Sequence, residues 1–379
     1  MPYWRLSAFY LFYFASLGAL IPFWGLYLQD EGFAPLAIGQ LTGVLLGTKI
    51  IAPNIWGWIA DRRGSRMSLV RLASLLSALI FGGVFAVQGF WGVALVMTLF
   101  SFFWNASLPQ MEAVTFNHLG RRVRRYAIIR LWGSIGFIVA VSLLGVLLKW
   151  TGTSAVPYTV LVLYIGIWVS SLLIPDSTGL HPGQPSEERL RLLERPEVLA
   201  FLASCFLMQA SHGAYYAFYS IHLTAAGYSS VGVGVLWAWG VAAEVLVFLR
   251  MHWLLERFGA RPLLLASFAL AALRWLLIGN FVEIVGVQIV AQALHAATFG
   301  VFHASAIHLA YHYFPGKTQG RGQALYNSMS FGAGGAAGSL TSGYLWSGAG
   351  ASVTFGLAAV AAALAWLVAW MLVDRGRRF

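Results

Sequence analysis

Residues 16–66 of this chain recur, without a gap, as residues 211–261. A shift of 195 positions lays Ser16, Gly18 and Ala19 on Ser211, Gly213 and Ala214, Gly32 on Gly227 and Gly39 on Gly234. It also lays Asp61-Arg62-Arg63-Gly64-Ser65-Arg66 on Glu256-Arg257-Phe258-Gly259-Ala260-Arg261. Of the 51 paired positions, 12 are identical. A duplication of this length limits the architecture severely. The chain is expected to build two related halves, the second repeating the plan of the first.

Composition says what the halves are made of. The chain is 59% hydrophobic and 10% charged, with mean hydropathy +0.74. A soluble domain does not bury that fraction of apolar residues, so a polytopic membrane protein is expected. Twelve apolar runs can be drawn, at 6–28, 36–60, 68–87, 91–116, 127–148, 156–174, 198–223, 229–254, 262–282, 284–314, 321–345 and 351–373. Each is near the roughly 20 residues that a spanning helix needs. The first run contains Pro22 and ends without a small-residue cleavage site, which reads as an uncleaved helix. The proline- and charge-rich stretch between the sixth and seventh runs reads as a linker. The expected fold is all-α, with an N-terminal six-helix bundle at 1–174, a cytoplasmic linker at 175–197 and a C-terminal six-helix bundle at 198–379. The single cysteine, Cys205, excludes an intramolecular disulfide.

A net charge of +11 would suit a nucleic-acid partner, but the positions of the charges do not. Arginine and lysine fall in alternate loops: Arg62, Arg63 and Arg66; Arg121, Arg122, Arg124 and Arg125; Arg189, Arg191 and Arg195; Arg257 and Arg261; Lys317 and Arg321; Arg375, Arg377 and Arg378. The other loops hold almost none, with Lys149 the main exception. By the positive-inside rule this places both termini in the cytoplasm of a bacterial-type inner membrane. The expected partners are the lipid bilayer and a small-molecule substrate, with no nucleic acid and a monomeric chain. Many of the 41 glycines lie inside spans, as in Gly332-Ala-Gly334-Gly335-Ala-Ala-Gly338, where they suit close helix seams or a hinge.

An ionisable residue in mid-span costs about 2.5–3.5 kcal/mol to insert. Lys49 and Glu244 sit near the centres of spans 2 and 8, and the repeat places one opposite the other. They read as a structural ion pair or as a substrate or proton site that alternates between pairing and release. Glu112 in span 4 and Arg130 early in span 5 read as a salt bridge or as a holder of a polar substrate, since arginine offers two donors at once. Arg274 and His295 also lie in apolar sequence, and histidine titrates in a useful range. His303, His308 and His312 have helical spacing but no partner carboxylates, so no metal site is expected. Tyr215, Tyr216, Phe218 and Tyr219, with Trp237, Trp239, Trp104 and Trp132, read as packing or as a stacking surface for a flat substrate.

Gly57-Trp58-Ile59-Ala60-Asp61-Arg62-Arg63-Gly64-Ser65-Arg66 resembles the signature loop of the major facilitator superfamily, with a degenerate copy at Glu256, Arg257, Gly259 and Arg261. The resemblance extends over the whole chain: twelve spans, two halves and a central linker. It implies that the acid and bases of this loop latch helices at the cytoplasmic face and tune the conformational equilibrium. Pro109-Gln-Met-Glu112-Ala followed by Arg130-Leu-Trp132-Gly133-Ser134 resembles the sugar-binding segment of the lactose permease branch. In this chain Thr298 stands where that branch has a proton-carrying glutamate, Val241 at its span 8 carboxylate, and its span 11 lysine is missing. Arg130 to Ser134, Gln209-Ala-Ser-His212-Gly-Ala-Tyr215-Tyr216, Val241-Ala-Ala-Glu244, Arg274-Trp275 and Leu294-His295 are more similar to the 3-phenylpropionate permease family.

This similarity implies proton symport of an aromatic carboxylate by alternating access, with no cofactor other than the coupling proton. Lys49, Glu112, Arg130, Trp132, Ser134, Tyr215, Tyr216 and Trp237 would bind substrate. Glu244, His295, Glu112 and Arg274 would couple the proton. A sugar or nucleoside symporter and a drug exporter are the alternatives within transport. A membrane-embedded enzyme would need a nucleophile–base pair or a metal set, and the sequence offers neither convincingly. A non-transporting receptor is disfavoured by the buried charges and the intact signature loop.

Overall fold

The structure is a computed structural model that describes residues 2–120, 122, 125–176 and 195–373. Positions 177–194 of the expected linker lie outside the described residues, as do Arg121, Arg124 and the C-terminal arginines. Among the described residues every regular element is helical. Eleven helices are long and apolar enough to cross a membrane, and the last of them, Gln319–Leu372, is 54 residues long. That helix is two, joined at Gly350, whose φ of 78° cannot continue an α-helix. The spans are therefore twelve, as the apolar runs predict.

They are α1 (Tyr3–Asp30), α2 (Pro35–Arg63), α3 (Arg66–Phe81), α4 (Gly89–Leu119), α5 (Tyr126–Thr151) and α6 (Ala155–Leu172), then α7 (Pro196–Ala225), α8 (Ser230–Phe248), α9 (Ala260–Asn280), α10 (Val285–Tyr313), α11 (319–349) and α12 (351–372). One boundary differs from expectation. The run 229–254 does not form a single helix: α8 ends at Phe248, and a short helix, Met251–Phe258, follows a turn at Leu249 and Arg250. Met251, Leu254 and Leu255 of the short helix pack on Leu263 and Val301, so its apolar residues mark an amphipathic face.

The internal repeat is present in the backbone. Gly32 and Gly227 end α1 and α7 with φ of 84° and 90°, and Gly64 and Gly259 turn the two signature loops with φ of 73° and 78°. Each pair takes the left-handed conformation that glycine adopts without a Cβ penalty. Pro35 and Pro196 open α2 and α7 where a missing N–H costs nothing.

The helices group into two compact units. The first comprises Met1–Phe33, Thr48–Pro182 and Tyr228–Ala238, and the second Ala34–Gly47, Gly183–Gly227 and Trp239–Phe379. The first half of α2 thus packs with the second unit, and the first half of α8 with the first. In the first unit α1 crosses α5 closely: a Cβ on Gly18 would meet Phe137 O at 2.7 Å, and one on Gly136 would overlap Leu11 O. At the centre of this unit Tyr13 stacks on Trp104 with centroids 5.3 Å apart, and Tyr164 meets Trp104 edge-on at 5.9 Å. Gly145 and Gly234 bring α5 and the start of α8 together, where Ser230 Oγ donates to Gly145 O at 2.8 Å.

In the second unit α7 lies against α11 along glycines. A Cβ on Gly213 or Gly338 would overlap the backbone of the other helix, and one on Gly334 would overlap Phe206 O. The run Gly332–Gly338 is therefore a packing seam. The start of α2 joins it: a Cβ on Gly39 would lie 2.7 Å from Gly343 Cα and from Ser339 O. Two spans carry π-helical turns, Ala296–Val301 in α10 and Ser328–Gly334 in α11. Such turns rotate the side chains that follow them and are frequent at functional sites.

Candidate functional site

In the second unit the site is built around Arg274 on α9, which is 0% exposed. Its Nε donates to Ala291 O at 2.9 Å, its Nη1 to Thr298 Oγ1 at 3.0 Å and its Nη2 to Gln292 Oε1 at 2.7 Å. The guanidinium also lies 4.3 Å from the Tyr215 ring centroid and 4.7 Å from that of Trp275. None of these partners carries a charge. Hydrogen bonds and ring faces satisfy the geometry of a buried cation but leave its charge uncompensated.

Gln292 links this cation to α7, because its Oε1 also accepts from Tyr215 OH at 3.2 Å. On α10, three residues further along, His295 Nε2 stands 3.4 Å from Glu244 Oε2 of α8. Glu244 reaches it across Gly300, where a Cβ would meet Glu244 Cγ at 3.2 Å. The π turn begins directly after His295, so Thr298 faces Arg274 while Phe299 stacks on His295 at 5.3 Å. The His295 Nδ1 and Gln292 Nε2 atoms are buried without a partner among the described residues. The same holds for His212 Nε2 and for both ends of the Gln209 amide, on α7. His212 is fixed by Met208 O at 2.9 Å and by the edge of Trp275 at 4.8 Å. Buried polar atoms of this kind are few in folded proteins, and they collect where a ligand or water completes the set.

The first unit holds Lys49, Glu112, Arg130, Trp132, Ser134 and Trp237. Lys49 is half-buried on α2 and makes no hydrogen bond or ion pair among the described residues. Beside it Thr48 Oγ1 donates to Ser101 Oγ at 3.0 Å and accepts from Asn105 Nδ2 at 2.8 Å, tying α2 to α4. Glu112 accepts from Tyr126 OH at 3.0 Å. Arg130 lies flat on Phe14, 3.6 Å from the ring centroid. Glu112 and Arg130 thus do not form the salt bridge that the sequence allows, since each is taken by an aromatic residue. Trp132 donates to Tyr3 OH at 2.9 Å and meets Trp4 edge-on at 5.6 Å, at the start of α1. Ser134 is half-buried on α5, and Trp237 lies 6.5 Å from Phe137. Tyr215 and Tyr216 fall in the second unit and Trp237 in the first.

The signature loops differ in detail. Arg66 Nη2 pairs with Asp61 Oδ1 at 2.7 Å, and Nη1 donates to Gln110 Oε1 at 2.7 Å, so α2, α3 and α4 are pinned together. Gly57 faces Gln110 at the same point. In the second loop Arg261 instead donates to Val373 O at 2.7 Å and Trp370 O at 2.9 Å, and Glu256 pairs with His252 at 3.0 Å.

Sequence reasoning did not single out Gln292, Thr298 and Tyr126 as partners of the charges. Tyr126 is legible afterwards, being four residues before Arg130 and hence on one face of α5. Thr298 is carried toward Arg274 by the π turn, which no pattern in the sequence announces, and Gln292 lies in the α-helical turns before it.

Comparison with known proteins gives the family and the fold. A family model described as the MFS_1 like family matches residues 3–357. The chain is 31% identical over 370 residues to the probable 3-phenylpropionic acid transporter of Escherichia coli K12, covering 93% of each. It is 27% identical to the maltose permease of Geobacillus stearothermophilus over 90% of this chain and 88% of the permease. A crystal structure of the nucleoside transporter NupG superposes with TM-score 0.83 at 16% identity, over 98% of this chain and 99% of that one. The chain is a multi-pass membrane protein and a secondary transporter, not an enzyme, and it belongs to the MFS_1-like family of the major facilitator superfamily.

Proposed function

We propose that the chain is a proton-coupled symporter of a small aromatic carboxylate, of the 3-phenylpropionate type, in the inner membrane. One observation carries the reading. Lys49, Arg130 and Arg274 are cations inside spans, and none has a carboxylate at ion-pair distance among the described residues. An anionic substrate supplies the countercharge that they lack. Phe14 beneath Arg130 and Tyr215 and Trp275 around Arg274 surround these cations with apolar rings in place of a carboxylate.

Glu244 and His295 are the proton-coupling pair in this reading. They are the one carboxylate and imidazole that meet inside the spans among the described residues, and they adjoin the Arg274 network through Gln292 and Tyr215. Glu112, held by Tyr126, is the second carboxylate available. Transport proceeds by alternating access, with the repeat-related starts of α2 and α8 as the segments that change partners.

The test is binding of 3-phenylpropionate to purified protein and to the Lys49→Gln and Arg130→Gln variants. Loss of one charge-assisted hydrogen bond weakens binding by roughly 10- to 150-fold. Unchanged affinity in both variants overturns the carboxylate reading. A second reading, a sugar or nucleoside substrate, is favoured by the unpartnered amide of Gln209 and the His212 Nε2, which suit neutral hydroxyl groups. It predicts binding of lactose or uridine that Gln209→Leu abolishes.

A further inference from the structure

We propose that each signature loop carries a seat for the phosphate headgroup of an anionic phospholipid, built from an exposed tryptophan with an arginine lying on its ring. The two seats are Trp58 with Arg62 and Trp253 with Arg257. The 195-residue shift carries one pair onto the other, with both residues identical. In each pair the arginine follows the tryptophan by four positions, the spacing that places two side chains together on a helix. Arg62 Cζ stands 3.9 Å from the Trp58 ring centroid, whereas Arg257 Cζ stands 5.6 Å from that of Trp253 and 5.8 Å from that of Phe258, so the second guanidinium lies between two rings.

Each loop also contains an arginine four positions further on with a different fate. Arg66 is bound to Asp61 and Gln110, and Arg261 to Val373 O and Trp370 O. Arg62 and Arg257 make no hydrogen bond or ion pair among the described residues. Neither makes an ion pair with the neighbouring acid: Asp61 pairs with Arg66, and Glu256 contacts His252. A guanidinium seated on a ring keeps its N–H donors at its rim, as a planar fork that fits two phosphate oxygens. The indole face fixes the orientation of the fork before the ligand arrives.

The ligand must also be amphipathic. Trp58 and Trp253 are 57% and 53% exposed, and seven residues before each stands an exposed aliphatic residue, Ile51 or Leu246. In the first loop, where Ile51, Trp58 and Arg62 share one helix, this order of apolar surface, tryptophan and cation matches an acyl chain, a glycerol neck and a phosphate. In the second loop the short helix Met251–Phe258 buries Met251 and leaves Trp253, Arg257 and Phe258 outward, as a helix lying in the membrane interface does. Free phosphate would use the fork but not this apolar surface.

The test is native mass spectrometry of the full chain in detergent, titrated with phosphatidylglycerol, with phosphatidylcholine and with inorganic phosphate. The expected result is two phosphatidylglycerol molecules bound in preference to phosphatidylcholine. Arg62→Gln and Arg257→Gln each weaken one step roughly 10- to 150-fold, the loss of a charge-assisted hydrogen bond. Trp58→Leu and Trp253→Leu weaken the same steps although the charge remains. Arg250→Gln, which removes an exposed arginine with no ring beneath it, weakens binding no more than about fivefold, the effect of any one basic residue at the surface. Equal losses on Arg250→Gln, both steps surviving in the double arginine variant, or binding of phosphate without preference for the lipid would each overturn the proposal.

Discussion

The contact between α2 and α11 makes a quantitative prediction. A Cβ on Gly39 would stand 2.7 Å from both Gly343 Cα and Ser339 O. Non-bonded carbon atoms settle near 3.5–4.0 Å, so the helices must part by roughly 1 Å before even an alanine fits. Leucine adds three more carbons in the same gap. Overpacking of this kind costs about 1–3 kcal/mol, which weakens the closed contact roughly 5- to 150-fold. The assay is maleimide labelling of a cysteine placed at Ser342, which is 5% exposed beside Gly343. The lone native thiol is first removed as Cys205→Ser. Gly39→Leu should raise the labelling rate at least fivefold, with the protein still folded. Gly234→Leu should do the same for a cysteine on α5 next to Val141, whose carbonyl lies 2.7 Å from a Cβ on Gly234. Unchanged labelling in folded Gly39→Leu protein would refute the argument that this glycine contact holds the start of α2 in place.

Three further outcomes follow from the same structure. Glu244→Gln should abolish accumulation against a gradient while sparing exchange; with a pH difference of one unit, one coupled proton drives about tenfold accumulation, and the variant should stay near unity. Gly338→Ala places a Cβ onto Ala210 O in the α7–α11 seam and should cost about 1–3 kcal/mol, read as a lower melting temperature in detergent. Tyr126→Phe removes the 3.0 Å bond to Glu112 and should change transport affinity severalfold and lower stability by about 1–3 kcal/mol, the cost of leaving that acceptor without its donor.

Much of the fold is legible in the chain because the membrane imposes one rule, that spanning backbone must be helical and its surface apolar. The twelve runs and the repeat follow from it, and the paired glycines at 32 and 227 and at 64 and 259 keep even the backbone sign. Where several forces compete, the sequence says less. The run 229–254 is apolar throughout, so averaging hides the turn at Leu249 and Arg250 and the amphipathic character of the short helix beyond. Glu112 and Arg130 lie on neighbouring helices, but spacing along the chain does not give the rotation of α4 against α5. Tyr126 and Phe14 take the two groups that charge alone would pair. Trp132, which reads as packing or as a stacking surface, donates to Tyr3, a partner that no spacing announces. The exchange of residues 34–47 and 228–238 between units is a tertiary event with no local signature.

The central claim, proton-coupled uptake of an aromatic acid, is tested most directly in proteoliposomes that report external pH. The purified chain is challenged with 3-phenylpropionate, cinnamate, lactose and uridine in turn. The account predicts alkalinisation with the aromatic acids, above their passive leak into protein-free vesicles, and none with the other two. A response to lactose or uridine alone, or no response to any of the four, would contradict it.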